Sequence, residues 1–373
     1  MKFENAYIPL NAAWSSPFVR WQGPAAEVSS LNVAAQVTKR ALDEREIGEI
    51  DELVLGLTVP QKESFYGAPT LAARLGLDAV SGPLIMQACA TSVAAIHAAA
   101  SGGTGTRLVV LTDRTSNGPH VVYPSAKAPG GTPQSENWVM DSFGCDPNTG
   151  EGMLATAERV AEQGGFSKAE VDAVTARRWE QYEESLNGFQ ERWMVPITVK
   201  RDEIAADWGI RPAPLDTLAG LKPVTQGGVV SYGSQTHPAD GCAGLIVTSA
   251  PAEVKILSSG FARVARGEMP KAPVPAAQAA LDDAGLTLDQ IDLIKTHNPF
   301  AVNDLWFARE TGADLDAMNP YGCSLIYGHP QGPTGARGIV ELIWALHDRG
   351  GGRGLFTGCA AGDTGAALVV EVG

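Results

Sequence analysis

Tyr327-Gly-His-Pro-Gln-Gly-Pro-Thr-Gly-Ala-Arg337 sets one histidine, His329, among glycines and prolines, and the run Ile339-Val-Glu-Leu-Ile-Trp-Ala-Leu346 follows at once. The apolar run predicts a buried helix, and the glycine-rich segment a turn at its start. Glycine and proline fix the backbone there and leave room beside the imidazole. A histidine so placed suits a base that must reach a thiol on another element. It would equally suit a turn histidine that only caps a loop.

Upstream, Pro83-Leu-Ile-Met-Gln-Ala-Cys89 ends a strand-like apolar run at a cysteine, and Thr91-Ser-Val-Ala-Ala-Ile-His-Ala-Ala-Ala100 continues as a helix of small residues. Apolar nearly all round, that helix should be buried, and His97 on it reads as a satisfied core histidine. A thiol at a helix start meets the positive end of the dipole, which favours the reactive thiolate. The alternative is an inert buried cysteine. In a third segment, Thr296-His-Asn-Pro-Phe-Ala301 follows the predicted strand Ile291–Ile294. His297 and Asn298 therefore fall at a strand end, where α/β proteins place their sites. Last, Gly358-Cys-Ala-Ala-Gly-Asp-Thr-Gly365 lies between two strand-like runs and predicts a turn of small residues around Cys359, with backbone N–H groups free to face a ligand. A structural cysteine would fit that turn as well.

The chain has 373 residues, enough for two or three structural units. At 44% hydrophobic and 19% charged it has the composition of an ordinary globular protein. Its 28 basic and 42 acidic residues give a formal charge of −14, a field that repels nucleic acid and anionic lipid surfaces. An anionic ligand would need a local basic patch. None of the five cysteines forms a C-x-x-C pair, so neither a metal site nor a disulfide framework is suggested, and free thiols point to a reducing cytoplasm. The opening MKFENAYIPLNAAW carries acids and polar residues where a signal peptide has its apolar run, and no apolar stretch is long enough to span a membrane.

Ala25–Leu42 predicts a helix and Asp51–Leu57 a buried strand; Pro275–Ala284, stopped by Gly285, and Ile291–Ile294 repeat that unit late in the chain. The repetition suggests two related α/β halves. Between them, residues 115–150 predict loops, 151–187 helix and 188–240 irregular structure. Loop-rich insertions often carry binding function. This one holds Arg159, Lys168, Arg177, Arg178, Arg192, Lys200, Arg201, Arg211 and Lys222, mostly solvated surface charge by expectation, with one or two available for phosphates.

Together and in this order, the four segments resemble the thiolase family across nearly the whole chain. The Gly-His-Pro-x-Gly-x-Thr-Gly-Ala-Arg match is the most specific part. Ser16-Pro-Phe-Val-Arg20, Gly152-Met-Leu-Ala-Thr-Ala-Glu-Arg-Val-Ala161 and Leu221-Lys-Pro-Val224 are similar to further thiolase segments. The resemblance implies a five-layered αβαβα fold of two similar halves, residues 1–116 and 249–373, with a CoA-binding loop domain, 117–248, inserted between them. It also implies roles. Cys89 matches the nucleophile, His329 the histidine that deprotonates it, and Cys359 the cysteine that moves a proton at the α-carbon. His297 matches the His-x-x-Phe branch, as in sterol-carrier-protein-type thiolases, and with His329 would hold the enolate oxygen. The backbone N–H groups of Cys89 and Ala361 would form the second oxyanion hole. Met153, Arg211, Ser234, Thr236, His237 and Phe300 are the expected substrate- and CoA-binding set. CoA is then a substrate, no metal or other cofactor is required, and a homodimer or homotetramer is expected, with a partner subunit admitted.

The sequence also departs from the family. Asn298 stands where an acid is usual, Pro299 is unexpected, and Ala360-Ala361-Gly362 replaces three glycines. Cys323 stands where glycine is common, and Thr236 takes a serine position. Cys145 and Cys242 read as structural. Two other readings compete: a ketoacyl-synthase-like condensing enzyme, which lacks a counterpart of Cys359, and a non-catalytic acyl-CoA-binding subunit, against which the intact set of four residues counts.

Overall fold

The computed structural model describes residues 1–45 and 47–373. The first half runs β1 (Tyr7–Ile8), β2 (Ala13–Ser15), β3 (Val19–Arg20), α1 (Ser30–Glu44), β4 (Glu52–Gly56), α2 (Ala68–Leu75), β5 (Leu84–Ile85), α3 (Thr91–Ser101) and β6 (Thr106–Arg114). An insertion follows: hairpin β7 (His120–Tyr123) and β8 (Gln134–Asn137), helices α4 (Trp138–Gly144), α5 (Met153–Gly164) and α6 (Lys168–Ser185), hairpin β9 (Ile197–Val199) and β10 (Asp202–Ile204), and α7 (Leu215–Ala219). The chain returns through β11 (Ala239–Thr248) into β12 (Val254–Arg263), α8 (Pro273–Ala284), β13 (Leu293–His297), α9 (Ala301–Thr311), α10 (Ser324–Tyr327), α11 (Pro333–Asp348), β14 (Gly352–Ala360) and β15 (Thr364–Val372).

The main sheet runs β13-β14-β15-β12-β1-β11-β6-β4-β5, with β2 and β3 also on β11. Short β1 pairs with both β11 and β12, so it joins two half-sheets of similar plan. In one, β4 is parallel to β6 and β6 antiparallel to β11. In the other, β13 is parallel to β14 and β14 antiparallel to β15. Helices α3 and α11 occupy equivalent places before β6 and β14, and they pack on each other between the two half-sheets. Helix α1 covers the outer face against β6 and β11; α8 covers the other outer face against β12 and β15. This is the expected five-layered αβαβα arrangement.

Local chemistry explains these elements. Strand β11 is buried along its whole length, which accounts for its near-continuous small and apolar sequence. Helix α3 buries Val93, Ala95, Ile96 and Ala99, and its alanines let α11 approach closely. Fully burying a Val, Leu or Ile side chain contributes roughly 1.5–3 kcal/mol, so the inner layer is the main stabilising core. Helix α8 begins at Pro273 and stops at Gly285, whose φ of 71° is the left-handed cap glycine accepts at low cost.

Several boundaries differ from the sequence reading. Helix α1 starts at Ser30 rather than Ala25, because residues 24–28 close a turn in which the Val28 N–H reaches the Ala25 carbonyl. The irregular stretches contain two hairpins and the short helices α4 and α7. The inserted domain ends before β11, not at residue 248, since Asp240–Thr248 pair in register with Arg114–Thr106 in the main sheet.

Fully buried ion pairs fasten the insertion to the body. Arg178 of α6 pairs with Asp304 of α9 at 2.8 Å, and Arg337 of α11 pairs with Asp207 at 2.6 Å and Glu341 at 3.0 Å. The Arg337 guanidinium lies 3.7 Å from the centre of the Tyr327 ring. Arg337, the last residue of the glycine-rich motif, thus holds that motif against the inserted domain.

Candidate active site

Cys89, His297 and Cys359 lie at or just after the ends of strands β5, β13 and β14, and His329 lies in the turn between helices α10 and α11. Cys89 lies in the turn between β5 and α3. Thr91 closes it, donating from Oγ1 to the Ala88 carbonyl at 2.7 Å and accepting from the Gln87 N–H at 2.8 Å. Ala88 is held at φ 44°, a strained conformation for a residue with a side chain. The turn aims the thiol across the layer toward α11.

There, His329 Nε2 lies 3.1 Å from Cys89 Sγ, and His329 Nδ1 lies 2.6 Å from Thr334 Oγ1. The thiol also donates to Gln331 Oε1 at 3.4 Å. The His329 backbone is fixed by its N–H to the His237 carbonyl at 2.9 Å. Gly328 permits this turn: its φ is 94°, and a Cβ there would stand 2.7 Å from His237 Nε2. The backbone N–H groups of Cys89 and Ala361 lie close enough to the Cys89 thiol to favour its charged form.

His297 ends β13. Its Nδ1 lies 2.9 Å from Ser324 Oγ, its ring centre lies 4.2 Å from that of His329, and its Nε2 has no partner among the described residues. Gly358 on β14 makes room, since a Cβ there would meet His297 Cβ at 2.7 Å. Cys359 Sγ accepts from Asn303 Nδ2 at 3.2 Å. Asn298 Nδ2 bonds to Asp304 Oδ2 at 2.7 Å, so the residue standing at the family's acid position is tied into the buried Arg178–Asp304 network.

Two expectations about the cysteines change. Cys359 is not in the turn. It lies inside β14, 1% exposed, and the turn begins after Ala360. The Cys89 thiol is not poised as a thiolate at rest: burial pushes it up to about 12 and outweighs the opposing backbone N–H groups of Ala361 and Cys89. Burial also raises the Cys359 thiol, and nearby Cys89 adds to the shift. The imidazoles move the other way. Burial lowers His297 to about 3, and burial together with neighbouring His297 holds His329 well below its ordinary value. The resting site is therefore a neutral thiol beside neutral imidazoles. Charge develops only when a substrate oxygen or a proton transfer compensates it.

A cavity of about 840 Å³ opens from Cys89, His329, Gln331 and Ala361. Met153, Thr236 and Phe300 line it, as expected of substrate-binding residues. Ser234, His237 and Arg211 are not on its wall. Ser234 is buried and accepts the Ser231 N–H at 2.9 Å, ordering its own loop. Burial, with the charges of Arg20 and Arg211 adding to it, lowers His237 to about 4. Arg211 is exposed. Cys145, read as structural, is exposed and lines the cavity, whereas Cys242 is buried in β11.

Asn303, Ser324, Thr334, Gln331 and Trp138 were not anticipated. A signal existed for Asn303, a polar residue on the buried face of α9 four positions before buried Phe307. Cys89 Sγ and imidazole nitrogens of His297 and His329 lie within 4.8 Å of one another. Such donors also have zinc-site chemistry, but a shared metal would have to replace the Cys89–His329 hydrogen bond. What the arrangement brings together is a thiol beside an imidazole, a second buried thiol, and the unpartnered Nε2 of His297.

Comparison with known proteins agrees. The family model for the thiolase N-terminal domain matches residues 10–251, and that for the thiolase C-terminal domain matches residues 251–372. A β-ketoadipyl-CoA thiolase of Pseudomonas knackmussii is 31% identical, with 95% of this chain and 96% of the relative covered. An acetyl-CoA acetyltransferase of Pseudomonas aeruginosa is 29% identical over 97% and 98%. Human mitochondrial 3-ketoacyl-CoA thiolase, solved with CoA, shares the fold at a TM-score of 0.90 and 24% identity, with 99% of this chain and 98% of that one covered. The chain belongs to the thiolase family and is an acyltransferase of the thiolase type.

Proposed function

We propose that Cys89 carries the acyl group and that Cys359 moves the α-proton, in cleavage of a 3-ketoacyl-CoA or the reverse condensation of two acyl-CoAs. The 3.1 Å contact between Cys89 Sγ and His329 Nε2 carries this reading. In the cleavage direction, His329 takes the thiol proton as sulfur attacks the ketone carbon. The oxygen that becomes negative meets the backbone N–H groups of Cys89 and Ala361. Collapse breaks the bond between the α- and β-carbons and releases an enolate of acetyl-CoA, whose oxygen is held by His297 Nε2 with His329. Cys359 gives its proton to the α-carbon and becomes a thiolate. A CoA thiol then enters, returns a proton to Cys359, and attacks acyl-Cys89, so that acyl-CoA leaves and Cys89 recovers its proton from His329. Losing one oxyanion donor typically costs about 10²–10³ in rate, and on this account His297 is one such donor.

CoA is a substrate in these steps, and no metal or redox group takes part. His297-Asn-Pro-Phe300 supports the His-x-x-Phe type. Arg211, exposed near the cavity-lining Thr236 stretch, is the cation we assign to the CoA phosphates. Edge strand β5 exposes Leu84 and neighbouring Met86, and Phe65 and Tyr66 are 92% and 77% exposed. That apolar surface supports a homo-oligomer in which a second copy covers it. Five free cysteines favour the cytoplasm. No helix among the described residues is long and apolar enough to cross a membrane.

The test is thiolysis of acetoacetyl-CoA and of longer, branched and aromatic 3-ketoacyl-CoAs with free CoA. Turnover abolished by both Cys89→Ala and Cys359→Ala is expected. Turnover surviving either change would refute the assigned roles. An inert Cys89 with no turnover of any substrate would favour the acyl-CoA-binding reading instead.

A further inference from the structure

We infer that the acyl group this site accepts is uncharged at its far end, an aliphatic or aryl tail rather than an ω-carboxylate. The inference rests on the thiolase reading and narrows it to a substrate class.

The evidence is the charge of the cavity wall. Its charged side chains are Glu136, Asp141 and Asp146, and no Lys or Arg is among its described lining residues. Each carboxylate is held in place. Glu136 accepts from Tyr123 Oη at 2.7 Å, Asp141 accepts from the Asn137 N–H at 2.8 Å, and Asp146 accepts from the Asn148 N–H at 2.6 Å. Nearby cations are already engaged elsewhere: Arg159 with Glu151 at 2.7 Å, and Lys271 with Glu268 at 3.0 Å. One neutral donor on the wall, Trp138 Nε1, is spent on the Thr58 carbonyl at 2.9 Å. That bond fixes the indole, which lines the cavity together with Phe143, Val59 and Met86.

A carboxylate pushed into such a wall would lose water, gain no cation, and face like charges. Desolvating an unpaired charged group is strongly unfavourable, and like charges at a binding surface add to the penalty. An apolar or aromatic tail would lose nothing and gain contact with Trp138 and Phe143. A cavity of about 840 Å³ has room for a tail as well as the thioester arm. The β-ketoadipyl-CoA thiolases to which the chain is similar are named for a diacid substrate, so the inference separates this chain from them.

The test uses two 3-ketoacyl-CoAs of equal chain length, 3-ketohexanoyl-CoA and β-ketoadipyl-CoA, with acetoacetyl-CoA as a tail-free reference. Thiolysis kcat/KM should favour the methyl-ended substrate by at least about tenfold, a difference of roughly 1.4 kcal/mol. The double variant Glu136→Gln/Asp141→Asn should narrow that gap, read as the ratio of the two kcat/KM values within the variant. Equal or better use of β-ketoadipyl-CoA by the unaltered enzyme would overturn the inference, as would rejection of both long substrates while acetoacetyl-CoA is cleaved. Calorimetric binding of the same pair to Cys89→Ala supplies a readout independent of turnover. Preference for the methyl-ended ligand supports the assignment even if catalysis fails, and equal affinity overturns it. Loss of acetoacetyl-CoA turnover in the unaltered enzyme would instead strike the thiolase roles themselves.

Discussion

Replacing Asn303 by Ala removes the hydrogen-bonding side chain from Cys359. The amide donates to Cys359 Sγ at 3.2 Å, both residues are buried, and burial raises the thiol while this donor opposes the rise. A hydrogen bond to a charged group contributes roughly 1.5–3 kcal/mol, more than a neutral one. The bond therefore stabilises the thiolate over the thiol. Its loss should raise the Cys359 pKa by about 1–2 units, at 1.36 kcal/mol per unit. The step that needs this thiolate is removal of a proton from the α-carbon of acetyl-CoA. The assay is exchange of the acetyl-CoA methyl protons into D₂O across a pH series. Exchange at neutral pH should fall about 10- to 100-fold. Alkylation of Cys89 by a reactive acyl-CoA analogue should be unchanged, because Cys89 has its own base in His329. Exchange at the wild-type rate would refute the reasoning. So would a loss of Cys89 alkylation in step with exchange, which would mean general disruption of the site.

Other consequences follow from the same geometry. Thr334→Val removes the Oγ1 partner of His329 Nδ1; a neutral hydrogen bond contributes roughly 0.5–1.5 kcal/mol, so kcat should fall about 3- to 10-fold in steady-state thiolysis with little change in KM. His297 and His329 are held neutral by burial, so the unfolded chain binds their protons first as pH drops below about 6.5. The contribution of these two groups should be fully present above that pH and fall by about 4 kcal/mol by pH 5; His297→Asn should remove about half of that contribution, read as the difference in denaturant midpoints between variant and wild type across the pH series. Arg178→Met strands Asp304 in the interior and should cost about 3–5 kcal/mol by the same denaturant measurement.

The legible parts of the site were those coded by short contiguous segments. His329 could be placed because glycine, proline and a following apolar run announce a turn before a buried helix. Cys89 could be placed because a strand-like run gives way to small helical residues at that position. The parts that escaped depend on partners distant in sequence. Asn303 meets Cys359 across 56 positions, and His297 meets Ser324 across 27. Cys359 was misplaced into a turn because its small neighbours look alike at a strand end and in a loop; the pairing of Cys359 with Gly365 keeps it in the strand. The thiolate expectation for Cys89 weighed the helix dipole and could not weigh burial, which dominates. Thr236 reaches the cavity and its neighbour His237 does not, because the His237 ring packs against Gly328 instead. The end of the insertion was set too late because β11, poor in large residues, does not declare from composition that it belongs to the central sheet.

The central claim is that acyl transfer passes through Cys89. The enzyme should be mixed with a 3-ketoacyl-CoA it cleaves, in the absence of free CoA, quenched in acid, digested and analysed by mass spectrometry. The account predicts an acyl adduct on the peptide containing Cys89, formed as acetyl-CoA is released and discharged when CoA is added. An adduct confined to another cysteine, or steady cleavage with Cys89 unmodified at every time point, would contradict it.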